Sequence, residues 1–382
     1  MQVKKTYEEI NAKIRRGEAV ILTAEEVSRL AETHSAKEIA QKVDVVTTAT
    51  FGPMCSSGAF INFGHSSPPM RLEKLHLNNV SAYGGIAAVD AYIGATEASE
   101  NNPKYGGAHV IEDLIAGKDI LLEATAKGTD CYPRKNIKAK INKNTVNEII
   151  MFNPRNAYQN YNVAVNSTNS IKYTYMGNLL PKYGNATYST SGELSPLLND
   201  PEMRTIGIGT KIFIGGAQGF VSWYGTQFNT TKPKNENGIP IGNAATLAVI
   251  GDLKQMTTNY IKAAYYEKYG VSLFVGIGIP IPILDEEMAK FVSIKNREIE
   301  TNIIDYGVQP MQIIGKANYE QLQSGFIELD GKKIRTAPLS GIAKAREIAE
   351  LLKQQILNLE FEITQPVQLF PKNTALKSLV EL

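Results

Sequence analysis

Apolar positions change period several times along the chain, and each change predicts an element. Ile10 and Ile14 stand about one helical turn apart in a charged segment that stops at Gly17, the pattern of an amphipathic helix with a glycine stop. Thr23 with Glu26 and Ser35 with Glu38 are S/T-x-x-E capping boxes, in which side chain and amide satisfy one another, so each predicts a helix start. The run VDVVTTATF, Val43 to Phe51, is β-branched and continuous, as in a buried strand, and it enters the turn-rich GPMCSSG with Cys55. DILLEATA, Asp119 to Ala126, is a second apolar run whose length suits strand or helix, and it leads into KGTDCYPR with Cys131. Both cysteines thus follow the C-terminal ends of apolar segments, the edge at which open α/β sheets bind ligands.

From about 145 to 230 the chain is rich in Asn, Tyr, Thr and Gly and reads as short β-like pieces. TKIFIGGAQGFVSWYGTQ is a glycine-punctuated strand–turn region that holds the sole tryptophan, Trp223, and PKNENGIPIGN reads as an exposed loop. A helix is expected over Leu253 to Tyr269. VSLFVGIGIPIPILDEE reads as a buried strand feeding a Gly/Pro loop. Near the end Ile342, Ala345, Ala349, Leu352 and Ile356 share one helical stripe, with Ser340 as the expected cap. The alternation predicts an α/β fold: a mixed sheet flanked by helices, one domain over 1–382, with a β-rich subdomain at about 145–245.

Composition narrows the chemistry. The 382 residues carry a formal charge of +2, which argues against nucleic acid as the main partner. No apolar stretch suits a signal peptide or a membrane span, so a cytoplasmic protein is expected. Two cysteines exclude a disulfide framework and a four-thiolate metal site within one chain, and four histidines argue against a histidine-rich cage as well. No metal site is expected.

The loop cysteines are the first candidates for chemistry. Cys131 has Arg134 three residues on and Lys127 four residues back, cations that favour thiolate, with Asp130 opposing them. Cys55 precedes Ser56, Ser57 and Gly58, small residues that let a ligand approach backbone amides as an anion nest. An ordinary core thiol is the competing reading for each. His65 is a candidate proton donor, with a structural role as its alternative. GGAQGF does not fit the dinucleotide pattern G-x-G-x-x-G, and neither a P-loop nor G-x-S-x-G occurs. GIGIPIP suits an anion cradle or close packing equally well. Asp285, Glu286 and Glu287 read as a solvated helix start.

Taken in order, TFGPMCSSG, DCYPR, GTKIFIGGAQGFVSWYGTQ and GVSLFVGIGIPIPILDEE resemble the homocysteine-biosynthesis sulfur-incorporation family, and the likeness extends through TAPLSGIAKAREIAELL. The resemblance implies formation of L-homocysteine from L-aspartate semialdehyde and sulfide, the activity of L-aspartate semialdehyde sulfurtransferase. It implies a persulfide on Cys131, a second recurrent cysteine at Cys55, and two electrons from a ferredoxin-like iron–sulfur protein, with no intrinsic cofactor. Some relatives carry C-terminal CBS modules, which are not expected here because little chain follows Phe370.

A consistent scheme has sulfur on Cys131 presented to the aldehyde and released by Cys55 through thiol–disulfide exchange, which needs both thiols in one pocket. Arg134 would hold the substrate carboxylate and His65 would protonate the departing oxygen. A homo-oligomer is expected. Two alternatives stand beside this reading. One is a coenzyme-A-transferase-like acyl enzyme using Glu193 or Glu123. The other is a non-enzymatic sulfur carrier or scaffold for an iron–sulfur partner.

Overall fold

The structure, a computed structural model, describes residues 3–381. Its opening segments follow the cap chemistry. Thr6, Thr23 and Ser35 each close a capping box at the start of helices Tyr7–Arg16, Ala24–Leu30 and Ala36–Lys42, and Gly17 ends the first in the left-handed conformation.

A 14-stranded mixed sheet dominates the α/β fold. Its order runs from Ile21–Thr23 through Val45–Pro53, Gly270–Pro282, Lys211–Ile214, Ala217–Tyr224, Leu247–Asp252 and Glu148–Asn156 to Gly58–Asn62. It continues through Asp90–Gly94, Val80–Tyr83, Lys74–Leu77 and Ile120–Thr125 to the edge strand Asn136–Ile141, and the fourteenth strand, Ile261–Tyr266, pairs with Gly270–Pro282 off this path. Only the first pair is parallel, so the rule for ligand sites at the strand ends of open parallel sheets does not carry over. DILLEATA resolves as the strand Ile120–Thr125.

A second, six-stranded sheet combines Val163–Val165 and Ala186–Tyr188 with Glu300–Asp305, Gln312–Asn318, Phe326–Leu329 and Lys332–Pro338. Residues 145–245 are therefore divided between the two sheets. Each sheet has its own apolar core, the second built around Tyr188, Tyr319 and Ile303. A small hairpin, Lys172–Thr174 with Gly177–Leu179, stands apart from both sheets.

Helix Ile342–Leu357 covers Val45–Pro53 and Gly270–Pro282, burying Ala345, Ile348, Ala349, Leu352 and Ile356. GIGIPIP makes this contact. A Cβ at Gly276 would lie 2.7 Å from Ile348, and one at Gly278 would lie 3.1 Å from it, so these glycines admit the helix.

Two expectations are corrected. Leu253 to Tyr269 is not a helix: a short 3₁₀ turn, Leu253–Gln255, gives way to the strand Ile261–Tyr266, which pairs residue for residue with Gly270–Val275. Lys268 and Gly270 both take positive φ and close that hairpin, and cross-strand pairing overrides the helical spacing. Ser340 does not cap the last helix: the cap position is Gly341, and the buried Ser340 hydroxyl has no partner. Asp285 is the cap of helix Glu286–Phe291 and is also clamped by Arg204 at 2.6 Å, so it is more than a solvated helix start. The PKNENGIPIGN segment is a loop, but Ile239 within it is buried.

Candidate functional site

The strand Val45–Pro53 ends at a tight turn whose shape follows from its hydrogen bonds. The Met54 amide donates to the Leu273 carbonyl, and the Ser57 amide and hydroxyl both donate to the Met54 carbonyl. Asn153 donates to the Ser57 hydroxyl at 2.8 Å. Ser57 is thus a buried brace, and its amide is committed within the turn. Gly58 has a packing reason: a Cβ there would lie 2.1 Å from the Tyr92 hydroxyl and 2.7 Å from the Ile93 carbonyl.

The turn sets Cys55, half-buried, and Ser56 into a cavity of about 250 Å³. The Cys55 sulfur lies 3.4 Å from the Ser272 hydroxyl, and the Tyr269 hydroxyl donates to it at 3.9 Å. The large sheet also supplies Arg155 to the lining, from the end of Glu148–Asn156, a strand paired with Gly58–Asn62. From the other side come Tyr161, Tyr175, Met176, Ser189 and Leu339. These belong to the second sheet, its flanking loops and the Lys172–Leu179 hairpin, so the cavity lies between the two cores.

Four tyrosines wall the cavity: Tyr158, Tyr161, Tyr175 and Tyr269. Tyr158 meets Tyr161 edge-on at 4.8 Å between ring centres, and Tyr161 meets Tyr175 in the same way at 6.5 Å. Burial pushes the Tyr158 phenol up to about 12, with the Arg155 charge partly opposing it. Burial also pushes Tyr161 and Tyr269 upward, so these three phenols are neutral at physiological pH. Among the described residues no acidic side chain lines the cavity, and Arg155 is its one charged residue.

Cys131 lies elsewhere. Strand register makes this plain: Phe60 aligns with Tyr92, Tyr92 with Tyr83, Tyr83 with Lys74 and Lys74 with Thr125. Cys55 precedes the first strand of this series and Cys131 follows the last, so the two loops lie at opposite ends of the strands. Four inter-strand steps also separate them, each about 4.8 Å. Cys131 is exposed. Its loop is held by Arg134, whose amide donates to the Pro69 carbonyl and whose guanidinium donates to the Ser67 carbonyl at 2.7 Å. His65 stacks on Tyr132 with ring centres 6.2 Å apart.

The structure therefore brings Cys131, Arg134 and His65 together, brings Cys55, Ser56, Ser57 and Gly58 together, and keeps the two groups apart within one chain. Glu193 and Glu123 belong to neither. Glu193 is held by Ser28 and the Asn296 amide, and burial raises its carboxyl. Glu123 pairs with Lys138 on the open sheet face. Sequence reasoning passed over Arg155 and the tyrosines. The available signal was a lone arginine in the Asn- and Tyr-rich stretch NPRNAYQNY, and nothing in it pointed to a cysteine a hundred residues upstream.

Comparison with known proteins gives consistent matches. A family model described as "Homocysteine biosynthesis enzyme, sulfur-incorporation" matches residues 19–363. An L-aspartate semialdehyde sulfurtransferase of Methanosarcina acetivorans is 47% identical over 99% of this chain and 74% of its own length. A protein of the same name from Methanocaldococcus jannaschii is 50% identical over 100% of this chain and 76% of its own length. An uncharacterized protein of Methanothermobacter thermautotrophicus is 27% identical over 83% of this chain and 71% of its own length. No solved structure matches the chain.

Proposed function

Because the chain belongs to the sulfur-incorporation family of homocysteine biosynthesis enzymes, we propose that it converts L-aspartate semialdehyde and sulfide into L-homocysteine, with the aldehyde taken up in the cavity that holds Cys55. The observation that carries this reading is the meeting of a thiol, a guanidinium and a tyrosine wall in one small cavity. Its volume of about 250 Å³ suits a small amino-acid aldehyde rather than an acyl-coenzyme A.

The bookkeeping is one aldehyde, one hydrosulfide, two electrons and three protons in, one thiol and one water out. The electrons come from an external ferredoxin-type iron–sulfur protein, and the chain contributes thiols rather than a cofactor of its own. Cys131 is the exposed sulfur carrier. Since one chain keeps its thiols apart, the exchange runs between two copies, the Cys131 loop of one meeting the Cys55 cavity of the other. The cycle starts from a disulfide between these thiols, formed once by exchange with a low-molecular-weight disulfide; hydrosulfide opens it, leaving a persulfide on Cys131 and a thiolate on Cys55. The outer persulfide sulfur adds to the aldehyde carbon. Cys55 then attacks the inner sulfur, which re-forms the disulfide and frees the sulfur-bearing adduct. Loss of water and uptake of two electrons and two protons complete the thiol, so the disulfide returns unchanged.

The test is complementation. Cys55→Ser and Cys131→Ser proteins are each expected to make no homocysteine from the semialdehyde, sulfide and a reduced ferredoxin-type iron–sulfur protein, with no added thiol. Unfolded together and refolded as mixed dimers, they should recover about a quarter of wild-type activity, because half the dimers are mixed and each has one intact pair. An active wild type with no recovery in the mixture would overturn pairing between copies. Full turnover by Cys131→Ser would remove the carrier role.

A further inference from the structure

We propose that Arg155 holds the α-carboxylate of the substrate and that the tyrosine wall, in place of an acidic side chain, receives its α-ammonium group. This rests on the reading that the Cys55 cavity takes L-aspartate semialdehyde, and it assigns the groups that distinguish that molecule from other small aldehydes.

Of the ten arginines, Arg15, Arg16, Arg204 and Arg346 are paired with a carboxylate at 3.0 Å or closer, and among the other six Arg155 is the one with a buried nitrogen that no described residue meets. Arg155 lies in a cavity without a carboxylate, and its Nε is buried with no hydrogen-bond partner. A buried donor on a cation is costly to leave unmatched, and a planar guanidinium is matched best by a carboxylate that takes two parallel N–H bonds. The backbone beneath it is fixed. The Arg155 amide donates to Asn153 Oδ1 at 3.0 Å, and its carbonyl accepts from the Ser56 hydroxyl at 3.3 Å. That second bond ties the arginine to the residue after Cys55, so the guanidinium and the thiol share one rigid corner.

The ammonium group needs a different partner. Acidic residues are absent from the lining among the described residues, which therefore offer no fixed negative charge. Tyr158, Tyr161, Tyr175 and Tyr269 offer ring faces and phenol oxygens, and aromatic faces bind ammonium ions best when water is excluded. An acid placed beside Arg155 would instead neutralise it and cost the site its carboxylate. With both charged groups of the substrate's Cα held at this end, the aldehyde is the one group left to turn toward the thiol.

Two analogues divide the assignment: succinic semialdehyde keeps the carboxylate and lacks the amine, and the decarboxylated aminoaldehyde keeps the amine and lacks the carboxylate. The readout is sulfur incorporation into each, measured as kcat and KM. Arg155→Gln should lower kcat/KM for L-aspartate semialdehyde about 100-fold, mainly through KM, and leave the aminoaldehyde almost unaffected. Arg155→Lys should recover part of the loss. Tyr158→Leu should erode the preference for L-aspartate semialdehyde over succinic semialdehyde while keeping the preference for a carboxylate. If the wild type makes no homocysteine from L-aspartate semialdehyde, the proposed function falls. If the wild type is active and Arg155→Gln treats both aldehydes as before, the arginine assignment alone falls. Should the variants fail to fold, the wild type decides by itself: equal kcat/KM for the semialdehyde and the decarboxylated analogue would overturn the assignment.

Discussion

Asp44 joins the N-terminal helix to the first strands through charge. Its side chain is 1% exposed and accepts from Lys5 and Lys13, each at 2.8 Å, and from the Val20 amide at 3.1 Å. Burial alone would raise this carboxyl, but the two ammonium groups and the amide outweigh it and hold it below the ordinary value. Burial lowers Lys5 in turn, with Asp44 partly restoring it. A depressed carboxyl stabilises the fold above its unfolded pKa, and that contribution is lost as pH falls through the lower folded value. Asp44→Asn should therefore cost about 3 kcal/mol at neutral pH, because the largely covered Lys5 ammonium loses its buried counter-charge. Urea midpoints measured from neutral pH to below the ordinary carboxyl range should fall on acidification for the wild type and change less for the variant. At this scale some of the site was legible. Cys55 and Cys131 stand out as thiols in polar turns. Arg155 does not, because its meaning depends on having no carboxylate nearby, and a sequence does not display which charges remain unpaired.

Among the elements, the strand Gly58–Asn62 links the Cys55 turn to the rest of the sheet, and its first residue has room only for hydrogen. Gly58→Ala would press a methyl group against Tyr92 and a backbone carbonyl. A loss of about 2 kcal/mol in chemical denaturation is expected, together with changed alkylation kinetics at Cys55. Unchanged stability and unchanged alkylation would mean that the turn is not braced as described. Capping boxes and the VDVVTTATF strand were readable because their signals are local: Thr23 and Glu26 need only each other. The stretch Leu253 to Tyr269 was misread because Ile261–Tyr266 becomes a strand only through its partner, and the decisive residues, Lys268 and Gly270, form the turn after it. GIGIPIP was ambiguous until Ile348 and Leu352 occupied the groove left by its glycines.

For the molecule as a whole, the cavity lies between two separately built cores, and the hairpin Lys172–Leu179 carries Tyr175 and Met176 to its edge. Asn178 reaches Glu267 at 3.2 Å and Lys268 lies 4.5 Å from the Tyr173 ring centre, so the hairpin also rests on the Ile261–Pro282 strand pair. A ligand in the cavity should slow amide exchange in this hairpin and raise the melting temperature with the logarithm of its concentration above Kd. Protection limited to the Asn136–Ile141 edge would place binding elsewhere. None of this arrangement was readable in advance. That the two cysteine turns open at opposite ends follows from strand order, and neighbours in that order come from distant parts of the chain.

The position of Cys131 also bears on handling outside an anaerobic vessel. Oxygen reaches a thiol on an outward turn before one recessed behind tyrosines. Brief aeration of the fully reduced protein should therefore mark Cys131 first, as sulfenic acid, and a timed exposure followed by peptide mass mapping would rank the two sulfurs by their contact with the outside.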